Sequence, residues 1–263
     1  MATVSDGDAD RYRAAQRALT RLLLRDARGA RRLLVPSRLR QTMPDWIAAV
    51  HALVTQYGRT SAALGAEWYD AQRAAARAPG PFTVPIAEGP PEEQTTEALR
   101  WATNDLWPSE GGEQRASTVL LDAAFKKADG ATQKLVADTG RATVRQAARQ
   151  DRAAVGYARA ASRGACSFCK LMASRGMVYK TAQSAGRDAN DRFSGDASVV
   201  KFHDNCHCAL ITVFRGQTFE LSPHASEWDR LYREYAAPYP GDQLRRFRRA
   251  LAEHDSNPLP GSN

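Results

Sequence analysis

Lysine is missing from the first 125 residues of the chain, where every basic side chain is Arg; the first lysine is Lys126. Cysteine is missing until Cys166, and all four cysteines fall between Cys166 and Cys208. No apolar run approaches the ~20 residues that cross a bilayer as a helix. The nearest candidate, Leu22-Leu23-Leu24, is cut off at once by Arg25 and Asp26. Met1–Asp10 is polar and acidic, unlike a secretory signal, so the chain is expected to be cytosolic when made. The catalytic signatures H-E-x-x-H and G-x-S-x-G are absent, as is an H-x-E ahead of the C-x-x-C pair. Those absences speak against a zinc protease helix, a hydrolase nucleophile elbow and a nucleobase deaminase.

What is present begins with charge. The 263 residues carry +8 at pI 9.6, enough length for one large domain or two small ones. Residues 1–80 hold 13 Arg against 7 acids, residues 81–160 hold 10 basic against 11 acidic, and residues 221–263 balance at 6 and 6. The excess therefore sits mainly in the N-terminal region. A basic surface favours polyanions such as DNA. Candidate phosphate contacts are Arg21, Arg25, Arg28, Arg31 and Arg32, with Arg245, Arg246, Arg248 and Arg249 flanking the stripe Leu244, Phe247 and Leu251. For the second group a solvated helix face is the favoured alternative, because Glu227, Asp229, Glu234, Asp242, Glu253 and Asp255 neutralise that segment.

Periodicity predicts helices first. Tyr12, Ala15, Leu19, Leu22 and Leu23 give helical spacing over 8–34, and Val35-Pro36-Ser37 ends it. A second helix is expected from Thr42, with Thr42 capping, Pro44 in the first turn and an apolar stripe of Trp46, Val50, Leu53 and Tyr57. Gly58 is a candidate interruption. Residues 79–94 contain five prolines and two glycines and read as a linker. Helix returns over 95–106 and again over about 116–162, with Gly130 and Gly140 as candidate breaks. Residues 198–202 and Ala209–Phe214 are β-rich, and Gln243–His254 is a last helix. The expected fold is mainly α with a small α+β zinc-stapled region. The expected division is a helical domain at 1–78, the linker at 79–94, a second domain at 95–220 with a Cys/His knuckle at 164–215, and a helical tail at 221–263.

The chemistry lies in Cys166-Ser167-Phe168-Cys169 and His203-Asp204-Asn205-Cys206-His207-Cys208. C-x-x-C is the spacing at which a turn points two thiolates at one ion, and zinc binds them deprotonated. The candidate ligands are Cys166, Cys169, His203, Cys206 and Cys208. One set takes Cys166, Cys169, His203 and one of the last two cysteines. Alternatively both Cys206 and Cys208 bind from one face of an extended segment, and His203 is then a neighbour. His207 would face the other way, and Asp204 suits a supporting position better than a ligand's. Two other readings compete: a reduced cluster without metal, and a C-x-x-C redox pair. A redox pair normally opens a helix after a strand, whereas a helical run is expected to lead into Cys166.

A helical run into C-S-F-C-K-L, then F-H-D-N-C-H-C and a β-rich tail, resembles the Mu F-like minor head protein family of tailed phages, in its actinobacterial-phage form. The resemblance covers about residues 130–215. The family's C-x-x-C and H-x-x-C-x-C fall on Cys166, Cys169, His203, Cys206 and Cys208. Its usual His-Pro is His203-Asp204 here, and His207 stands where the family often has Arg. The resemblance implies a minor capsid protein acting in head morphogenesis, inside the virion near the portal; the Cys/His spacing itself predicts one structural zinc per chain. It implies the portal protein as partner, with the major capsid protein and double-stranded DNA as further candidates. Proteins of this layout are also labelled capsid maturation proteases, which is the alternative enzymatic reading. A zinc-stapled DNA-binding protein is a third.

Overall fold

In this computed structural model the described residues are 2–107, 118–179, 202 and 204–255. The chain order is β1 (Ala2–Ser5), α1 (Asp10–Ala30), α2 (Leu39–Ala75), α3 (Glu92–Ala102), α4 (Thr118–Gln150), β2 (Ala154–Ala160), α5 (Ser167–Ser174), β3 (Met177–Tyr179), β4 (Ala209–Phe214), β5 (Gln217–Glu220), α6 (Pro223–Tyr235) and α7 (Gln243–His254). The fold is mainly helical with a small strand region, as expected.

The two longest helices, α2 and α4, cross at glycines. A Cβ on Gly65 would lie 2.6 Å from the Gly140 carbonyl oxygen, and one on Gly140 would lie 2.6 Å from Ser61 Oγ. Only hydrogen at both positions lets the backbones approach this closely. Gly58, Gly130 and Gly140, candidate breaks in the sequence, each lie inside an unbroken helix. Around this crossing Leu23, Trp46, Val50, Val54, Leu99 and Val136 form one buried core, drawn from both sides of the Pro/Gly segment. Trp46, Val50 and Tyr57 are buried in it, with Trp46 edge-on to Phe125 at 6.2 Å. The apolar stripe is thus spent inside the molecule.

The helix boundaries need two corrections. α2 begins at Leu39 rather than near Thr42, whose hydroxyl instead accepts from the Val35 amide at 3.1 Å and donates to the Arg38 carbonyl at 3.0 Å. Pro44 thus falls in the second turn, where one helical hydrogen bond is forgone. The helix expected to reach residue 162 stops at Gln150, where the Asp151 carboxylate accepts from the Ala153 amide at 2.8 Å. Ala154–Ala160 is then a strand, because its pairing with β4 overrides the local preference for helix.

β2 is the middle of an antiparallel sheet ordered β3-β2-β4, with Ala160 opposite Ala209 and Ala154 opposite Phe214. Helix α2 covers β4: Trp68 Nε1 donates to the Leu210 carbonyl at 2.9 Å, and the Thr212 amide donates to Gln72 Oε1 at 2.6 Å. An otherwise open strand edge is satisfied by side chains. β1 pairs in parallel with β5, which ties residues 2–5 to 217–220. α6, which the periodicity reading passed over, starts with Ser222 as cap and Pro223 in the first turn. The β-rich run at 198–201 lies outside the described residues.

Candidate metal centre

Two short pieces of chain bring thiols together at one end of the sheet. β2 leads through residues 161–165 to Cys166, which caps α5: its sulfur accepts from the Cys169 amide at 3.4 Å. This points an amide dipole at the sulfur and turns Cys169 inward. β4 is entered through Cys206-His207-Cys208, an extended stretch in which the two cysteines share the buried face. Cys169 Sγ lies 3.3 Å from Cys206 Sγ, and the sulfurs of Cys169, Cys206 and Cys208 all lie within 4.8 Å of one another. Two sulfurs on one tetrahedral zinc, each bonded at ~2.3 Å, stand roughly 3.8 Å apart, so the spacing fits a metal ion.

The thiols perturb one another. S–H donation from Cys169 and Cys208, helped by the nearby Arg141 guanidinium, holds the Cys206 thiol far below the usual range. Contacts with Cys166, Cys206 and Cys208, plus burial, hold Cys169 far above it. At Cys208 the Cys169 contact pulls down, but Cys206 and burial outweigh it and push the thiol up to about 12. Three sulfurs this close are the arrangement a soft cation completes by displacing the thiol protons.

The surroundings fix the second half-site. Arg141 of α4, buried, donates through Nε to the Cys208 carbonyl at 3.1 Å and through Nη2 to the Cys206 carbonyl at 2.5 Å. Its guanidinium lies 4.0 Å from the Phe202 ring centre, and that of Arg159 lies 4.1 Å from the same ring. Asn205 adopts a left-handed φ of 60° and packs with Asp204 on Gly130, where a Cβ would come within 3.1 Å of Asn205 Nδ2. The first half-site is fixed from the C-terminus. Lys170 Nζ, fully buried, bonds Asp255 Oδ2 at 2.5 Å, and Arg248 Nε donates to Ser167 Oγ at 3.0 Å.

Of the sequence candidates, the structure brings together Cys169, Cys206 and Cys208, with Cys166 adjoining. His203 lies outside the described residues. His207 is exposed, 3.4 Å from Gln133 Nε2, and is not among the clustered ligand atoms. Sequence reasoning missed Arg141, Arg159 and Gly130. The objection to a redox pair loses one support, because a strand does precede the C-x-x-C helix. Its sheet is antiparallel, however, and Cys169 is crowded by a third and fourth thiol.

The arginines proposed for phosphate divide. Arg21, Arg25, Arg28 and Arg32 are exposed on α1 and the turn after it. Arg31 turns inward to Asp129 at 2.7 Å. On α7, Arg245 and Arg246 pair with Asp242, Arg249 pairs with Glu253 at 2.7 Å, and Arg248 holds Ser167.

The fold and its thiol cluster thus define a helical protein with a metal-capable knuckle. The chain belongs to the VG15 protein family, whose profile matches residues 3–236. That membership marks it as a phage-encoded protein. No curated protein and no solved structure is detectably similar. No helix among the described residues is long and apolar enough to cross a membrane.

Proposed function

We propose that this protein is a minor capsid protein of a tailed phage, structural in role, placed in the head near the portal and in contact with packaged DNA. The supporting observation is the cluster of Cys169, Cys206 and Cys208. In a phage-family chain it assembles the C-x-x-C and C-x-C elements that resemble the Mu F-like pattern. In this reading the ion is zinc, one per chain. Soft thiolates suit it, and a closed thiol site favours a structural over a catalytic ion. The metal staples α5 to the start of β4 and so unites two halves of a small core.

The test is composition. The protein should occur in purified heads at low stoichiometry and co-purify with the portal when the two are co-expressed. Absence from heads sinks the reading. Deleting residues 1–78 is a poor probe, because α2 shares its core with α4. Substitutions at exposed Trp101 or Val119, on the intact chain, are suitable instead.

One observation bears on the protease alternative. Ser222 Oγ lies 3.0 Å from His224 Nδ1. Yet that hydroxyl accepts from the Ala225 amide to cap α6, and His224 Nε2 lies 3.3 Å from the Ala161 carbonyl, where a triad has a carboxylate. His51 is bonded to buried Thr95 at 3.0 Å between α2 and α3. Clipping of co-expressed major capsid protein at a defined site, lost in His224→Ala, would favour the protease.

A further inference from the structure

Arg17, Arg21, Arg25, Arg28 and Arg32 recur at steps of three and four, so they form one row along the outward side of α1 and the turn that follows. The opposite side, with Tyr12, Leu19, Leu23 and Ala27, is buried. The acids near the row are already engaged, one of them with the row member Arg25. Asp10 binds Arg13. Asp26 accepts from Tyr57 Oη at 2.5 Å on the α2 side and takes Arg25 at 2.9 Å. Asp129 of α4 takes Arg31, which packs over Phe125. Among the described residues Arg17, Arg21, Arg28 and Arg32 have no ion-pair partner.

The chemistry of the row narrows its partner. The small residues Ala14, Ala18 and Gly29 flank it, and Leu22, at its margin, is the one large apolar side chain exposed on α1. A protein-binding face centres on apolar and aromatic anchors, which this face lacks. The row is made only of Arg, whose planar fork matches phosphate. From Arg17 to Arg32 it extends about 22 Å at ~1.5 Å per residue, longer than the width of the DNA major groove at ~12 Å. It can therefore meet phosphates on both sides of a groove.

We propose that the outer face of α1 is a duplex-binding surface that tracks the sugar–phosphate backbone through Arg17, Arg21, Arg28 and Arg32 without reading sequence. It deepens the DNA contact in the proposed function and rests on the capsid reading only in naming duplex DNA as the polyanion. The α7 arginines, held by Asp242, Glu253 and Ser167, take no part.

The experiment uses the whole chain, duplexes of unrelated sequence, and binding measured against salt. The variant Arg21→Gln/Arg28→Gln/Arg32→Gln is compared with Arg230→Gln/Arg245→Gln/Arg249→Gln. Each loses three formal charges, but the second set sits beside acids on its own helices. The first variant should lower the slope of log affinity against log salt by about 3, at ~0.9 per phosphate contact, and weaken all sequences alike. The second should bind as the unmodified chain does. Equal losses in both variants would reduce the effect to net charge and overturn the proposal. So would retention of polyglutamate but not duplex, or no duplex binding at low salt. Presence in purified heads is read separately, so failure here leaves the capsid assignment standing.

Discussion

Arg141 Nε donates to the main-chain carbonyl of Cys208 at 3.1 Å, so a helix side chain, not the sheet, holds the cysteine strand in place. Burial works against its charge, but Cys206 and Asp138 sustain it. Replacing it with Met keeps the volume and leaves two buried carbonyls without their donor. Arg141→Met should cost about 2–4 kcal/mol, the range for losing charged hydrogen bonds to buried partners. Urea denaturation checks the magnitude, and zinc content should fall with it. A variant as stable as the parent would show that Arg141 is incidental to the knuckle.

Much of this molecule is legible in its sequence, and the failures share a cause. The Pro/Gly segment, the strand Ala209–Phe214 and the helix Gln243–His254 carry local signals: breakers, β-branched residues, an amphipathic stripe. Ser222-Pro223, a cap followed by Pro in the first turn, announces α6 just as locally. By contrast Ala154–Ala160 reads as helix in isolation and is a strand only because β4 lies beside it. Gly140 looks like a breaker and is instead the contact with Gly65, which only the crossing of two helices reveals. That the cysteines would gather was legible from their spacing. Arg141 was not, because one Arg among many on an Ala-rich helix carries no mark.

The α2–α4 crossing makes a second prediction. At Gly140→Ala the new methyl would meet Ser61 O at 2.7 Å and Ser61 Oγ at 2.6 Å, and backbone on the far side cannot rotate away. Overpacking of this kind costs about 1–3 kcal/mol, against a helix-propensity gain of at most ~1 kcal/mol. Gly29→Ala is the control: nothing lies within 4 Å of the added carbon, so it should be neutral or slightly stabilising. Thermal melts of both variants decide it, and equal behaviour would mean that the helices are not in close contact.

Lys170 and Asp255 make a third. Their bridge joins the C-x-x-C helix to the end of α7 with both side chains out of water, and Trp228 Nε1 adds a bond to Asp255 at 3.2 Å. Removing one partner leaves an uncompensated buried charge, at about 3–5 kcal/mol, whereas replacing both with apolar residues is often neutral. Asp255→Ala should therefore be much less stable than Lys170→Met/Asp255→Leu. Melting temperatures of the two in the same buffer test this ordering, and the reverse ordering would refute it.

The last prediction concerns which thiols hold the ion. Of the two ligand sets open from sequence, the geometry favours the one in which Cys206 and Cys208 both bind, since their sulfurs and that of Cys169 lie within 4.8 Å of one another. Protein made under reducing conditions should carry about one zinc per chain. Cys169→Ser, Cys206→Ser and Cys208→Ser should each lose most of it. If instead only one of the last two cysteines binds, its neighbour's serine variant keeps full zinc, and the three-thiol set is wrong. Because binding energy to such a site is folding energy, a strong chelator should lower the melting temperature of the parent chain. It should barely move that of Cys169→Ser, which has already lost the metal. Folded, metal-free protein with four titratable thiols and no response to chelator would leave a reduced thiol cluster in place of a metal centre.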